Sequence, residues 1–226
     1  MSAPPVIAID GTAACGKGTL AKKLAEHYGF AHLDSGALYR LVALGVLDSG
    51  GNPSDAADAM RAAHAIEMGG TSHPRIRRDE VGKAASQVAS IPEVRNALLE
   101  LQRGFAARPP DKKFGAVIDG RDIGTVIAPN ATAKLFVDAA PEIRALRRRL
   151  ELESLGISRD EKEILEELKA RDAADKSRVV SPLRPAEDAM LLDTSDLGID
   201  AAFAAALALV DPKIRPILNL SARGPS

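Results

Sequence analysis

The chain has 226 residues, 46% of them hydrophobic, with 30 Lys and Arg against 31 Asp and Glu for a formal net charge of −1. That supplies a substantial core without disulfides or structural metals and excludes a general attraction to nucleic acid or membranes, so any anion site must come from local clusters of arginine. Aromatic residues make up 3% and Trp is absent, which excludes stacking platforms for single-stranded nucleic acid, and the lone Cys15 cannot form an internal disulfide.

The elements follow in chain order. Met1 to Pro5 shows no signal-peptide pattern and no apolar run is long enough to span a membrane, so a cytoplasmic protein is expected. Val6 to Ile9 is β-branched and apolar and predicts a buried strand. A glycine-containing loop follows, and Leu20, Ala21, Leu24 and Ala25 place a helix over Lys17 to Tyr28. Further strands are predicted at Ala31 to Leu33, Phe114 to Ile118, Ala133 to Val137 and Met190 to Leu192, running into Asp34, Asp119, Asp138 and Asp193. Carboxylates at strand ends mark the ligand edge of an open parallel sheet.

Residues 36–108 hold little strand signal. Helices are predicted at Ala37 to Leu47, Ser54 to Ala65, Asp79 to Ala89 and Glu93 to Ala107, broken by Gly69, Gly70 and Pro74. Around Gly156 a second break separates two charged helices, and the spacing of Ser158 and Glu161 predicts a helix start near Ser158. Asp211 to Ser226 has no clear pattern and reads as a tail. The expected fold is a single α/β domain. Its core is about 1–35, 109–146 and 160–210, with an insertion over 36–108, a lid over 147–159 and a tail over 211–226.

The chemistry starts at Gly11-Thr12-Ala13-Ala14-Cys15-Gly16-Lys17-Gly18-Thr19. This nearly matches the phosphate-binding loop G-x-x-x-x-G-K-S/T. Its glycines let backbone N–H groups turn inward around phosphate oxygens, and the following helix points its positive end at the same anion. Lys17 adds a charge on the transferring phosphoryl group, and Thr19 is the metal candidate, directly or through water. Cys15 replaces a small residue. The loop alone fits a kinase, a GTPase or a motor, but no Asn or Thr precedes a Lys, so the guanine-reading N/T-K-x-D motif of GTPases is missing.

Five further segments carry a resemblance. Asp34-Ser35-Gly36-Ala37-Leu38-Tyr39-Arg40 looks like the "DSGxxYR" segment of bacterial cytidylate kinases. Ala84 to Ala89 looks like their "AASxVA" helix, with Arg95 nine residues beyond Ser86. Asp119-Gly120-Arg121-Asp122-Ile123-Gly124-Thr125 resembles "DGRDxGT". Arg171, Asp172, Asp175 and Arg178 resemble "RDxxDxxR", and Asp193-Thr194-Ser195 resembles "DTS". These keep their order across residues 6 to about 195, and the chain is identified as resembling the bacterial CMP/dCMP kinases, a family of P-loop nucleoside-monophosphate kinases.

The resemblance implies a parallel sheet flanked by helices, a mostly helical acceptor-binding insertion and a short lid. It implies transfer of the γ-phosphate of ATP to CMP or dCMP with Mg²⁺, by a monomer without nucleic-acid or membrane partners. Lys17, Arg121, Asp122 and Arg171 are then the catalytic candidates, with residues 11–19 on ATP. Ser35, Arg40, Ser86, Arg95, Arg121, Asp122, Arg171, Asp175 and Arg178 are the CMP-binding candidates. Arg40 and Arg121 fall to the acceptor phosphate, Arg171 and Asp175 to the ribose, and Ser86, Arg95, Asp122 and Arg178 to the base. The residue types agree. Arginine grips phosphate oxygens in two places, a carboxylate accepts from the cytosine amino group, and an arginine donates to its acceptors.

Arg171, Asp175 and Arg178 are spaced to share one helix face, as are Arg144, Arg147 and Arg148, the candidates for a lid that closes over ATP. The chain departs from the family at Thr12, where Pro is common, and at Ala14, where Gly is common. It also looks short between Gly69 and Asp79, where Arg75-Ile76-Arg77-Arg78 is what remains. The rival readings are another small-molecule P-loop kinase and a nucleotide-binding switch without turnover.

Overall fold

The computed structural model describes residues 3–66 and 73–222, so Gly69 and Gly70 lie outside the described residues. The chain forms two compact units, one of residues up to Leu33 together with those from Ala106 onward, the other of Asp34–Phe105.

The first unit is built on a sheet of strands β1 (Val6–Gly11), β2 (Ala31–Asp34), β3 (Ala116–Gly120), β4 (Ala133–Asp138) and β5 (Met190–Asp193), in the order β2-β3-β1-β4-β5. β1 runs parallel to β3 and β4, and β4 parallel to β5. The register sets Asp10 beside Gly120, Gly11 beside Val137 and Asp138 beside Asp193. The carboxyl ends therefore share one edge, and the loop leaving β1 stands in its middle.

Alternation along β1 and β4 puts Ile7, Ile9, Leu135 and Val137 on one face. There they meet Leu20, Ala21 and Leu24 of α1 (Lys17–Tyr28) and Ala202, Ala206, Val210 and Ile214 of α8 (Ile199–Ala222). Helix α1 stops where Gly29 takes φ 66, with Gly29 N–H donating to the Glu26 carbonyl and Phe30 N–H to that of Ala25, the pair of hydrogen bonds that closes many helices.

The tail expected from Asp211 on is instead helical to Ala222. Pro212 and Pro216 hide that pattern, but Val210 and Ile214 lie one turn apart and are buried on the core, and Tyr28 Oη donates to Asp211 at 2.6 Å. Helices α6 (Pro141–Ser154) and α7 (Glu161–Ser177) pair through Ala145, Leu152, Ile164 and Leu168. Gly156, at φ 76, closes α6, and the N-cap of α7 is Asp160 rather than Ser158. The Asp160 carboxylate is placed to accept from Lys162 and Glu163 N–H, the geometry an N-cap requires.

The second unit contains α2 (Ser35–Asp48), α3 (Ala56–Ala65), a 3₁₀ turn at Pro74–Arg77, α4 (Asp79–Val88) and α5 (Pro92–Ala107). Helix α2 packs on both α3 and α4.

Candidate functional site

In the first unit the loop from Gly11 to Thr19 has its carbonyls tied back. A Cβ on Gly11 would lie 2.0 Å from the Val137 carbonyl oxygen, so only glycine fits there. Thr12 Oγ1 donates to Asp138 at 2.5 Å, a bond the proline of the family pattern could not make. Lys17 Nζ donates to the Thr12 carbonyl, Arg144 to the Ala13 carbonyl and Thr194 Oγ1 to the Cys15 carbonyl, each at 3.1 Å. Ala14 takes the left-handed φ of 59°, a strained position for a residue with a Cβ, and its methyl packs on the α6–α7 pair. Gly16, at φ 90, then starts α1, whose first turn has no side-chain cap and no acidic residue. Cys15 is fully buried under the loop.

This leaves a cationic site. Burial pushes the Lys17 ammonium down from its usual pKa, and Arg121 and Arg171 push it further the same way. Asp119, at the end of β3, pairs through Oδ1 with His32 Nε2 at 2.9 Å, and a Cβ on Gly18 would stand 3.7 Å from its other oxygen. Thr19 is exposed on the first turn of α1.

Arg121 and Asp175 form the centre of the next cluster. Arg121 Nε donates to Asp175 Oδ2 at 2.8 Å, and Arg178 reaches the other oxygen. Burial opposes the Asp175 charge, but Arg121 and Arg178 outweigh it and hold its carboxyl below the usual range. Burial likewise opposes the Arg121 charge, and Asp175 outweighs it. Arg178 lies just past α7, at φ −57 and ψ 134, so it does not continue the helix face of Arg171 and Asp175; the backbone turns out and the side chain returns. Asp122 is 4% exposed.

The lid arginines are placed differently from expectation. Arg144 is 3% exposed, holds Ala13 and Ala139 carbonyls and meets Asp172 at 2.7 Å. Arg147 donates to Thr194 Oγ1 at 3.1 Å and to the carbonyls of Thr194 and Leu197. Arg144 braces the phosphate loop directly, and Arg147 does so through Thr194, which bonds the Cys15 carbonyl. Arg148 meets Glu151 at 2.9 Å. Asp10, Asp138, Asp172 and Thr194 were missed as site residues; for Asp10 and Asp138 the signal was present, a carboxylate closing a strand.

In the second unit the remaining candidates gather around α2 and α4. Arg40 donates to the Ile76 carbonyl at 3.0 Å and lies over Gly82, where a Cβ would stand 3.3 Å from the guanidinium. Ser86 is exposed and donates to the Gly82 carbonyl at 3.3 Å. Arg95 is buried, donates to the Ala89 carbonyl and stacks over Tyr39 with 5.5 Å to the ring centre. Ser35 is buried and donates to Gln102 Oε1 at 2.6 Å.

No group of metal-ligating side chains is present among the described residues, and no helix among them is long and apolar enough to cross a membrane. The cytidylate kinase family model matches residues 7–211. A cytidylate kinase of Nitrobacter winogradskyi is 51% identical over 206 residues, 91% of this chain and 95% of the relative. A cytidylate kinase of Paramagnetospirillum magneticum is 51% identical over 208 residues, 92% of this chain and 98% of the relative. Among solved structures, an uncharacterized protein from Eubacterium ventriosum superimposes with TM-score 0.51 at 17% identity, over 92% of this chain and 98% of its own, a likeness of fold alone.

Proposed function

The chain belongs to the cytidylate kinase family, and we propose that it moves the γ-phosphoryl group of ATP onto CMP or dCMP by positioning and charge stabilisation, without a protein nucleophile. The observation that carries this reading is the cation cluster at the sheet edge. Arg121 and Arg171 both disfavour the Lys17 charge, in a place where the uncapped first turn of α1 also points its N–H groups. Such a cluster is relieved by a polyanion, and phosphoryl transfer supplies one whose charge grows on the transferring oxygens.

In this reading residues 11–19 cradle the ATP phosphates, and Lys17 bonds the transferring group. Arg40 and Arg121 neutralise the CMP phosphate, Arg171 and Asp175 serve the ribose, and Ser86, Arg95, Asp122 and Arg178 read the base. Ser35 supports its unit through Gln102. A carboxylate facing the cytosine amino group faces a carbonyl in uracil, so UMP is the poorer substrate. Mg²⁺ enters with ATP and supplies charge neutralisation of the phosphates; the hard oxygens of Thr19 and Asp119 suit it. The enzyme works as a cytoplasmic monomer.

The test is ADP release with CMP, dCMP, UMP, AMP, shikimate or no acceptor. CMP and dCMP should support turnover at least tenfold better than UMP and AMP. Equal turnover with all acceptors, or ATP binding without acceptor-dependent turnover, would refute the reading.

A further inference from the structure

The residues assigned to the CMP phosphate and base, Arg121 and Asp122, leave the end of β3 and enter a π turn at Ile123–Ile127. That turn is held from β1. Alternation sends Ile7 and Ile9 to the face under α1 and α8, so Asp10 points to the opposite face, where it is 3% exposed. Its Oδ1 accepts from Ile123 N–H at 2.7 Å and its Oδ2 from Gly124 N–H at 2.8 Å. These are the first two N–H groups of the turn, which would otherwise be buried without partners. Asp122, at the N-cap position with φ −140 and ψ 26, makes no side-chain cap of its own. The fit is close: a Cβ on Gly124 would stand 3.3 Å from Asp10 Oδ2 and 3.1 Å from Lys134 Cδ.

We propose that Asp10 is a positioning residue for CMP: by capping this π turn it fixes the direction in which Arg121 and Asp122 leave β3. The assignment rests on Arg121 and Asp122 contacting CMP. Burial pushes the Asp10 carboxyl up to about 6, the bonds from Gly124 and Ile123 oppose the rise, Asp122 adds to it and Lys17 opposes it. Lys134 packs alongside with its ammonium on Asp188 at 2.7 Å. A folded pKa above the unfolded value means that the stability linked to this group is full below about 4 and lost as pH rises through about 6. The charge is therefore kept at a cost to folding, as site residues often are.

Asp10→Asn keeps the shape and one acceptor but turns an N–H toward a backbone donor. At pH 7.5 it should raise KM for CMP about tenfold or more and leave KM for ATP within about twofold. Asp122→Asn is measured beside it. If Asp122→Asn raises KM for CMP and Asp10→Asn does not, the role of Asp10 is overturned while the site reading stands. If neither changes CMP use, the site reading falls and takes Asp10 with it. Equal losses for CMP and ATP with a lower Tm would mean a structural role only, and overturn the assignment. In the wild-type enzyme, the amide proton resonances of Ile123 and Gly124 should titrate together with a midpoint near pH 6.

Discussion

Arg144 on α6 donates to the carbonyl of Ala13 in the phosphate loop at 3.1 Å, and the same guanidinium meets Asp172 on α7 at 2.7 Å. The bond holds the Ala13 carbonyl on α6, on the residue before the strained Ala14. The loop's shape thus depends on a side chain 131 positions later, and on the carboxylate that pairs with it.

Arg144→Met should separate these two dependences. It leaves Asp172, 7% exposed, without its cation, which costs about 3–5 kcal/mol and lowers Tm by roughly 10 °C or more. It also frees the Ala13 carbonyl, so KM for ATP should rise about tenfold. The double variant Arg144→Met/Asp172→Leu removes the stranded charge. It should regain most of the stability while KM for ATP stays high. Recovery of both would show that Arg144 serves folding alone.

The three arginines of α6 also show where sequence reading runs out. Arg144, Arg147 and Arg148 have the spacing of a solvated basic face or a lid, and nothing local tells a buried guanidinium from an exposed one. Only the packing of Ala13 against α6 and α7 decides it. Asp10 is similar, because its partners Ile123 and Gly124 lie across the fold. By contrast β1, the loop and α1 were legible because strand, glycine and helix signals are all local. The clusters around Arg121 and around Arg40 were legible only as motifs. The start of α7 was misread because Ser158 and Glu161 mimic a capping box, while the Asp160 carboxylate stands at the turn. The end of α8 was missed because two prolines outweigh the spacing of Val210 and Ile214 in any local reading.

Lys17→Met tests the loop's chemistry apart from its fold. The lysine's folded pKa lies below its ordinary value, chiefly through burial, so its charge opposes folding at neutral pH. An apolar side chain of similar length removes that opposition and one bond to the Thr12 carbonyl. Tm should therefore stay within a few degrees, while kcat falls about a hundredfold or more because the charge on the transferring group is gone. A folded variant with near-normal kcat would remove Lys17 from the mechanism.

Asp175→Asn tests the acceptor side. Asp175 holds Arg121 at 2.8 Å and also takes Arg178, the two arginines assigned to the CMP phosphate and base. An amide cannot orient both guanidinium groups, so KM for CMP should rise about ten- to a hundredfold with KM for ATP little changed. The pH dependence distinguishes it from Asp10. The folded pKa of Asp175 lies below 3.8, so its contribution is present above that value and is lost only as pH falls through the lower folded pKa. Between pH 5 and 8 the carboxylate stays charged, and the ratio of wild-type to Asp175→Asn activity with CMP should be flat. The corresponding ratio for Asp10→Asn should shrink below about pH 6, where the wild-type carboxyl takes up its proton. A ratio for Asp175→Asn that shrinks in the same window would mean that the two carboxylates titrate as one system and that the arginine pair is not fixed by Asp175 alone.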